Sequence, residues 1–195
     1  MKSNTLLFVS IFLLFINEIS AQKTNETYDE AINNAIAKQY PEYHTALLKV
    51  LDDFELELII KKVVSDGSYQ SYVNLLTKIS NDSTYEVVSD FALVDSLSLN
   101  SKRYNYELKN IMKSVPLISY RNKAQPKSIA FNQRASEIAA KKKEFSRSDY
   151  ASLLLEVYDE KDFQIPTIRT QLYRFLDPNT NHIHYIYMGK PTQGE

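Results

Sequence analysis

The chain contains no cysteine and no tryptophan, and only three glycines, Gly67, Gly189 and Gly194, in 195 residues. Without cysteine there can be no disulfide, thiol nucleophile, thiolate zinc site or acylated-cysteine anchor. The few scattered glycines exclude the phosphate-cradling patterns G-x-G-x-x-G and G-x-x-x-x-G-K-[ST]. The nucleophile elbow G-x-S-x-G, the H-E-x-x-H zinc helix and the EF-hand loop are missing as well. Nor does either charge dominate: 23 Lys and Arg stand against 24 Asp and Glu, a formal net charge of −1. Such a balance offers no basic field for nucleic acid or an anionic membrane. The one cationic run, Lys141-Lys-Lys143, falls at the end of a predicted helix, where cations suit the dipole.

Long apolar runs are scarce too, with one exception at the N-terminus. Lys2, the apolar stretch Leu6–Ile16 and the small residue Ala21 follow the order of a secretory signal peptide over residues 1–21, cleaved before Gln22. As a helix that stretch spans roughly 16 Å, against a hydrocarbon core of about 30 Å, too short for a comfortable anchor. Its loss removes one charge of each sign, Lys2 and Glu18, and leaves the balance unchanged. The mature chain, residues 22–195, is expected to be a single globular domain without an integral membrane segment, periplasmic or secreted. A chain of this size buries about 70% of its unfolded surface, so a core without crosslinks is feasible. The 14 tyrosines suit the edge of such a core, or a surface on which a ligand stacks.

What the sequence does have is helical periodicity. Thr27 and Glu30 have capping-box spacing ahead of Ala31, Ile32, Ala35 and Ile36. From Glu42 to Val63 the residues Tyr43, Leu47, Val50, Leu51, Phe54, Leu58 and Ile59 make one stripe, with Lys49, Asp53, Glu57 and Lys61 opposite. Asp66-Gly67 is expected to end that helix and Ser68 to cap the next. Tyr104 to Val115, Ser128 to Glu144 and a helix capped by Ser148 complete the helical segments, with Arg121–Lys127 as a linker. His44, one turn from Tyr40 and Leu48, is expected as a packed helix residue. The segment Tyr85 to Leu99 keeps a period of two broken at Ser89 and Asp95, which favours strands there, although Val87, Phe91 and Val94 also share a helical face.

The C-terminal stretch raises the one sharp chemical question. Thr167–Leu176 and Ile183–Met188 are rich in β-formers, and Asp177-Pro178-Asn179 suits a type I turn between them. A hairpin over residues 167–188 would pair Asp177 with His182 and Phe175 with His184, placing Asp177, His182 and His184 on one face. The plainer reading is an exposed Asp177–His182 charge pair at a rim. The chemical reading is three zinc ligands with a fourth position open.

Taken together, these patterns predict an α+β fold, predominantly helical, with about six amphipathic helices around one core over residues 27–158 and a C-terminal antiparallel hairpin. The expected function is a non-enzymatic exported protein that binds an unknown protein or small-molecule ligand. The alternative is a metal-binding protein or metal-dependent hydrolase using His182, His184 and Asp177.

Overall fold

Thr27 opens the first helix as its spacing predicts. Its hydroxyl accepts the Glu30 N–H while the Glu30 carboxylate accepts the Thr27 N–H at 2.7 Å, a closed capping box. The computed structural model describes residues 26–82, 84–120, 126–142 and 145–179. Among these, the chain forms eight α-helices: α1 Tyr28–Gln39, α2 Pro41–Ile60, α3 Tyr69–Asn81, α4 Leu93–Arg103, α5 Leu108–Ser114, α6 Lys127–Lys142, α7 Arg147–Val157 and α8 Pro166–Leu176. Short 3₁₀ turns occupy Leu117–Tyr120 and Asp162–Gln164.

The predicted stripe of α2 is buried at Tyr43, Leu47, Val50, Leu51, Phe54 and Leu58. Its opposite face carries a Lys49–Asp53 ion pair at 2.7 Å, an exposed i,i+4 contact worth about 0.3–0.5 kcal/mol. Around α2 pack α1, α4 and α8; α3 lies along α7, which also holds α6, and α5 packs on α1. The buried side chains from Ile36 to Leu176 form one contiguous cluster. Tyrosines serve as core amphipaths in it: Tyr150 stacks on Phe175 at 4.7 Å, Phe131 meets Tyr150 edge-on at 5.0 Å, and Phe54 lies 5.3 Å from Tyr173.

The α+β expectation is overturned, for no residue among those described is in a strand. Residues 166–176 are helix α8, which removes the first strand of the hairpin. The reason lies in which residues each geometry would bury. A strand over 167–176 would split the apolar residues, with Ile168, Leu172 and Leu176 on one face and Tyr173 and Phe175 on the other. A helix instead gathers Ile168, Leu172, Phe175 and Leu176 on its buried side, and Pro166 at its first position supplies a suitable φ without losing a hydrogen bond. Asp177-Pro178 ends α8 rather than turning a hairpin, because a residue before proline resists the helical region; Asp177 is extended at ψ 115°.

The 85–99 segment is corrected in the same way. Residues 85–92 are irregular and 93–103 are helix, with Leu93 and Leu97 buried one turn apart. Val87 and Ser89 do alternate inward, but no neighbouring strand offers a ladder. This stretch lies along the end of α2 instead: the Asp90 N–H donates to Glu57 Oε1 at 3.2 Å, and Phe91 meets Phe54 edge-on at 5.8 Å. The helix expected over 104–115 starts later, at Leu108, and Ser146 rather than Ser148 caps α7, in a capping box with Asp149.

Helix α2 ends at Ile60, with Lys61 as its C-cap, short of Asp66-Gly67. Lys62 has φ +57°, the Val63 N–H donates to the Leu58 carbonyl and the Lys62 N–H to the Ile59 carbonyl, each at 2.9 Å. That is a Schellman closure with lysine in the left-handed position. Gly67 has a different task. A Cβ there would stand 2.7 Å from Glu55 Oε1, so any side chain at this position would have to displace the Glu55 carboxylate.

Among the described residues no helix is long and apolar enough to cross a membrane. Residues 1–21, expected as a signal peptide, most of the expected linker 121–127 and the expected second hairpin segment 183–188 lie outside the described residues.

Candidate binding cleft

Helix α8 carries two arginines toward α2, and their surroundings define two regions. Arg169 belongs to a closed cluster. Tyr173 and Tyr72 both donate to Glu55 Oε2, at 2.6 and 2.7 Å, and their hydroxyls lie 2.9 Å apart. Arg169 Nη2 is 3.2 Å from both the Tyr173 hydroxyl and Asp52 Oδ1, and 3.7 Å from Glu55 Oε2. Burial raises both tyrosine pKa values; for Tyr72 the neighbouring Tyr173 adds to it, and for Tyr173 the Arg169 charge works against it. With α2, α3 and α8 all contributing and Gly67 closing the Glu55 side, this cluster is saturated and fastens three helices together.

Arg174 faces the other way, onto a cleft of about 330 Å3 between α2, α4 and α8. Tyr43 from α2 and Tyr106 form an aromatic wall, stacked at 4.0 Å and 8°. Lys102, Ser98 and Ser101 come from α4, and Thr170 stands one turn before Arg174 on α8. Local structure after α4 sets the position of Tyr106. Asn105 takes φ +50°, the Tyr106 N–H donates to the Ser101 carbonyl at 2.9 Å and the Asn105 N–H to the Lys102 carbonyl at 3.3 Å. This second Schellman closure folds the chain back onto Tyr43, with asparagine tolerating the left-handed conformation. Tyr40 meets Tyr106 edge-on at 5.4 Å and braces it from behind.

Among the described residues no carboxylate lines this cleft. Arg174 Nε is buried without a hydrogen-bond partner, and among the described residues neither Arg174 nor Lys102 forms an ion pair. Burial raises the Tyr43 pKa, with the Arg174 charge working against it. Burial also raises that of Tyr106, helped by Tyr43 and Tyr40. A second cleft, of about 540 Å3, lies between α2 and α4, but its charges balance. Glu42 and Asp53 stand there with Lys49 and Arg103; Lys49 is paired with Asp53, and Arg103 lies over the Tyr104 ring at 5.3 Å.

The residues expected to hold zinc are not brought together by any described element. Asp177 is buried; its Oδ1 accepts the Asn179 N–H at 2.9 Å and its Oδ2 has no partner. The register that set it beside His182 required a hairpin, and α8 stands where the first strand would be. His182 and His184 lie outside the described residues, so the zinc expectation rests on sequence alone. Among the described residues no group of three or more His, Asp or Glu is placed to hold a metal ion. His44 is a half-buried α2 residue whose Nε2 lacks a partner.

Sequence reading assigned Tyr43 to the core stripe and passed over Arg174, Tyr106 and Lys102. Its one local signal was Asn105, a residue able to take the left-handed conformation, just after the Lys102-Arg103 end of a helix. The chain matches no protein-family model, no curated protein and no solved structure, so the cleft is interpreted from its own geometry.

Proposed function

We propose that the protein is an exported, non-enzymatic binding protein of the periplasm or cell exterior that takes a small-molecule ligand in the α2–α4–α8 cleft. The observation that carries this reading is that Arg174 and Lys102, neither of them in an ion pair among the described residues, line one cleft with the Tyr43–Tyr106 stack. Cations left unpaired on a concave surface with an aromatic wall call for a partner that completes them. Binding is favoured over catalysis because, among the described residues, no histidine or carboxylate lines the cleft to activate a hydroxyl. The export part rests on Leu6–Ile16 and Ala21.

Two experiments test the proposal. The first titrates neutral, cationic and anionic metabolites into ¹⁵N-labelled protein and its Tyr106→Ala variant. At least one compound should shift amides of residues 98–106 and 170–174 in the parent and fail to do so in the variant; no such compound in any class overturns the cleft reading. The second is cell fractionation with N-terminal sequencing. A mature chain starting at Gln22 outside the cytoplasm is expected, and an intact Met1 on protein from the cell interior overturns export.

A further inference from the structure

We propose that the ligand is a small hydroxylated carboxylate, its carboxylate on Arg174 and its hydroxyls donating to Ser101 and Thr170. This inference rests on the cleft reading and narrows it to one ligand class. Charge comes first. Arg174 and Lys102 line a space with no carboxylate among its described walls, so an anion is attracted and an ammonium repelled. Arginine then favours a planar acceptor, because neighbouring guanidinium N–H groups form a parallel fork that matches the two oxygens of a carboxylate.

The hydroxyls add the second requirement. Ser101 Oγ donates its proton to the Tyr106 carbonyl at 3.4 Å, and Thr170 Oγ1 donates to the Pro166 carbonyl at 2.8 Å. A hydroxyl has one proton, so these two offer the cleft only lone pairs and ask a ligand for donors. Inorganic phosphate can supply a proton to those lone pairs but has no C–H face to lay against the Tyr43–Tyr106 wall. A carboxylate carrying hydroxyls meets both ends, and the Tyr43–Tyr106 wall accepts the C–H face of such a molecule. A volume of about 330 Å3 lies near the lower limit of ligand pockets, about 300 Å3, which suits a single ring or a short chain.

The test is isothermal titration calorimetry with three probes, glucuronate, glucose and inorganic phosphate, on the parent protein and on Arg174→Lys, Arg174→Gln and Thr170→Val. Glucuronate should bind the parent at least tenfold more tightly than glucose or phosphate. Arg174→Lys, which keeps the charge but loses the fork, should weaken it at least tenfold, Arg174→Gln should abolish it, and Thr170→Val should weaken it several-fold. Circular dichroism and the thermal midpoint verify that each variant is folded; should Arg174→Gln fail to fold, Arg174→Lys and the glucose comparison carry the decision. Phosphate binding as tightly as glucuronate would reduce the cleft to a simple anion site, and equal binding of glucose would show that the carboxylate is not read. Either result overturns the inference. So does silence from glucuronate while other compounds still bind in a Tyr106-dependent way, an outcome that leaves the cleft reading standing. Failure of every class of compound overturns both.

Discussion

Arg169 and Arg174 share one helix and differ in almost everything around them. Arg169 reaches two carboxylates and a tyrosine hydroxyl, and its side chain is 18% exposed. Arg174 lines an open cleft and forms no ion pair among the described residues, and its Nε is buried without a partner. A protein held together without crosslinks needs the first kind of site, in which every donor has an acceptor. The second kind works against stability and is retained where something other than folding uses it. The same contrast recurs at the two left-handed helix ends. Lys62, with no evident task for its side chain, closes α2 near the saturated cluster, whereas Asn105 closes α4 and swings Tyr106 into the cleft wall.

The contrast can be attacked from the saturated side first. Arg169→Met strands the Tyr173–Glu55–Tyr72 group without its cation and should lower stability by about 2 kcal/mol in urea unfolding, below the full buried-pair value because Asp52 is largely exposed. Alkaline unfolding is the next largest effect. The Tyr72 and Tyr173 pKa values are raised above 10.0, so the native state keeps protons that the unfolded chain releases. Their stabilising contribution is complete below pH 10 and is lost as pH rises beyond it, by up to about 1.4 kcal/mol per pH unit for each proton. A Tyr72→Phe/Tyr173→Phe variant should show a flatter fall between pH 10 and 11, and an unchanged slope would mean that the pair does not titrate as a buried unit. Gly67→Ala pushes a methyl into the Glu55 carboxylate and should cost about 1 kcal/mol. Lys62→Gly relieves a left-handed lysine and should raise stability by about 0.5–1 kcal/mol, whereas Asn105→Gly should change it by no more than a few tenths.

Much of the helical framework was legible because it is local. The Thr27–Glu30 box and the α2 stripe depend on residues three and four apart, and both form as their spacing predicts. What failed were short segments that suit either period. In 167–176 the β-formers and the Asp177-Pro178-Asn179 turn outweigh a helical spacing already visible at Ile168, Leu172 and Phe175, and what decides the matter is that only a helix brings Ile168, Leu172, Phe175 and Leu176 onto one buried side. Glycine misled in a second way: Gly67 was read as a helix stop, but it serves a close approach to Glu55, and a lysine makes the stop. The cleft had no comparable local signature. Tyr43, Tyr106 and Arg174 come from three distant segments, and the missing acceptor at Arg174 is a property of packing alone.

The most direct test of the contrast is the stability of Arg174→Met, measured as the urea midpoint without ligand. Removing an unmet buried donor while keeping apolar bulk should leave the midpoint unchanged or raise it, by up to about 1 kcal/mol, with the slope of the transition preserved. A loss of 1 kcal/mol or more, comparable to that of Arg169→Met, would mean that Arg174 is a structural member of the fold and that the cleft is not held ready for a ligand.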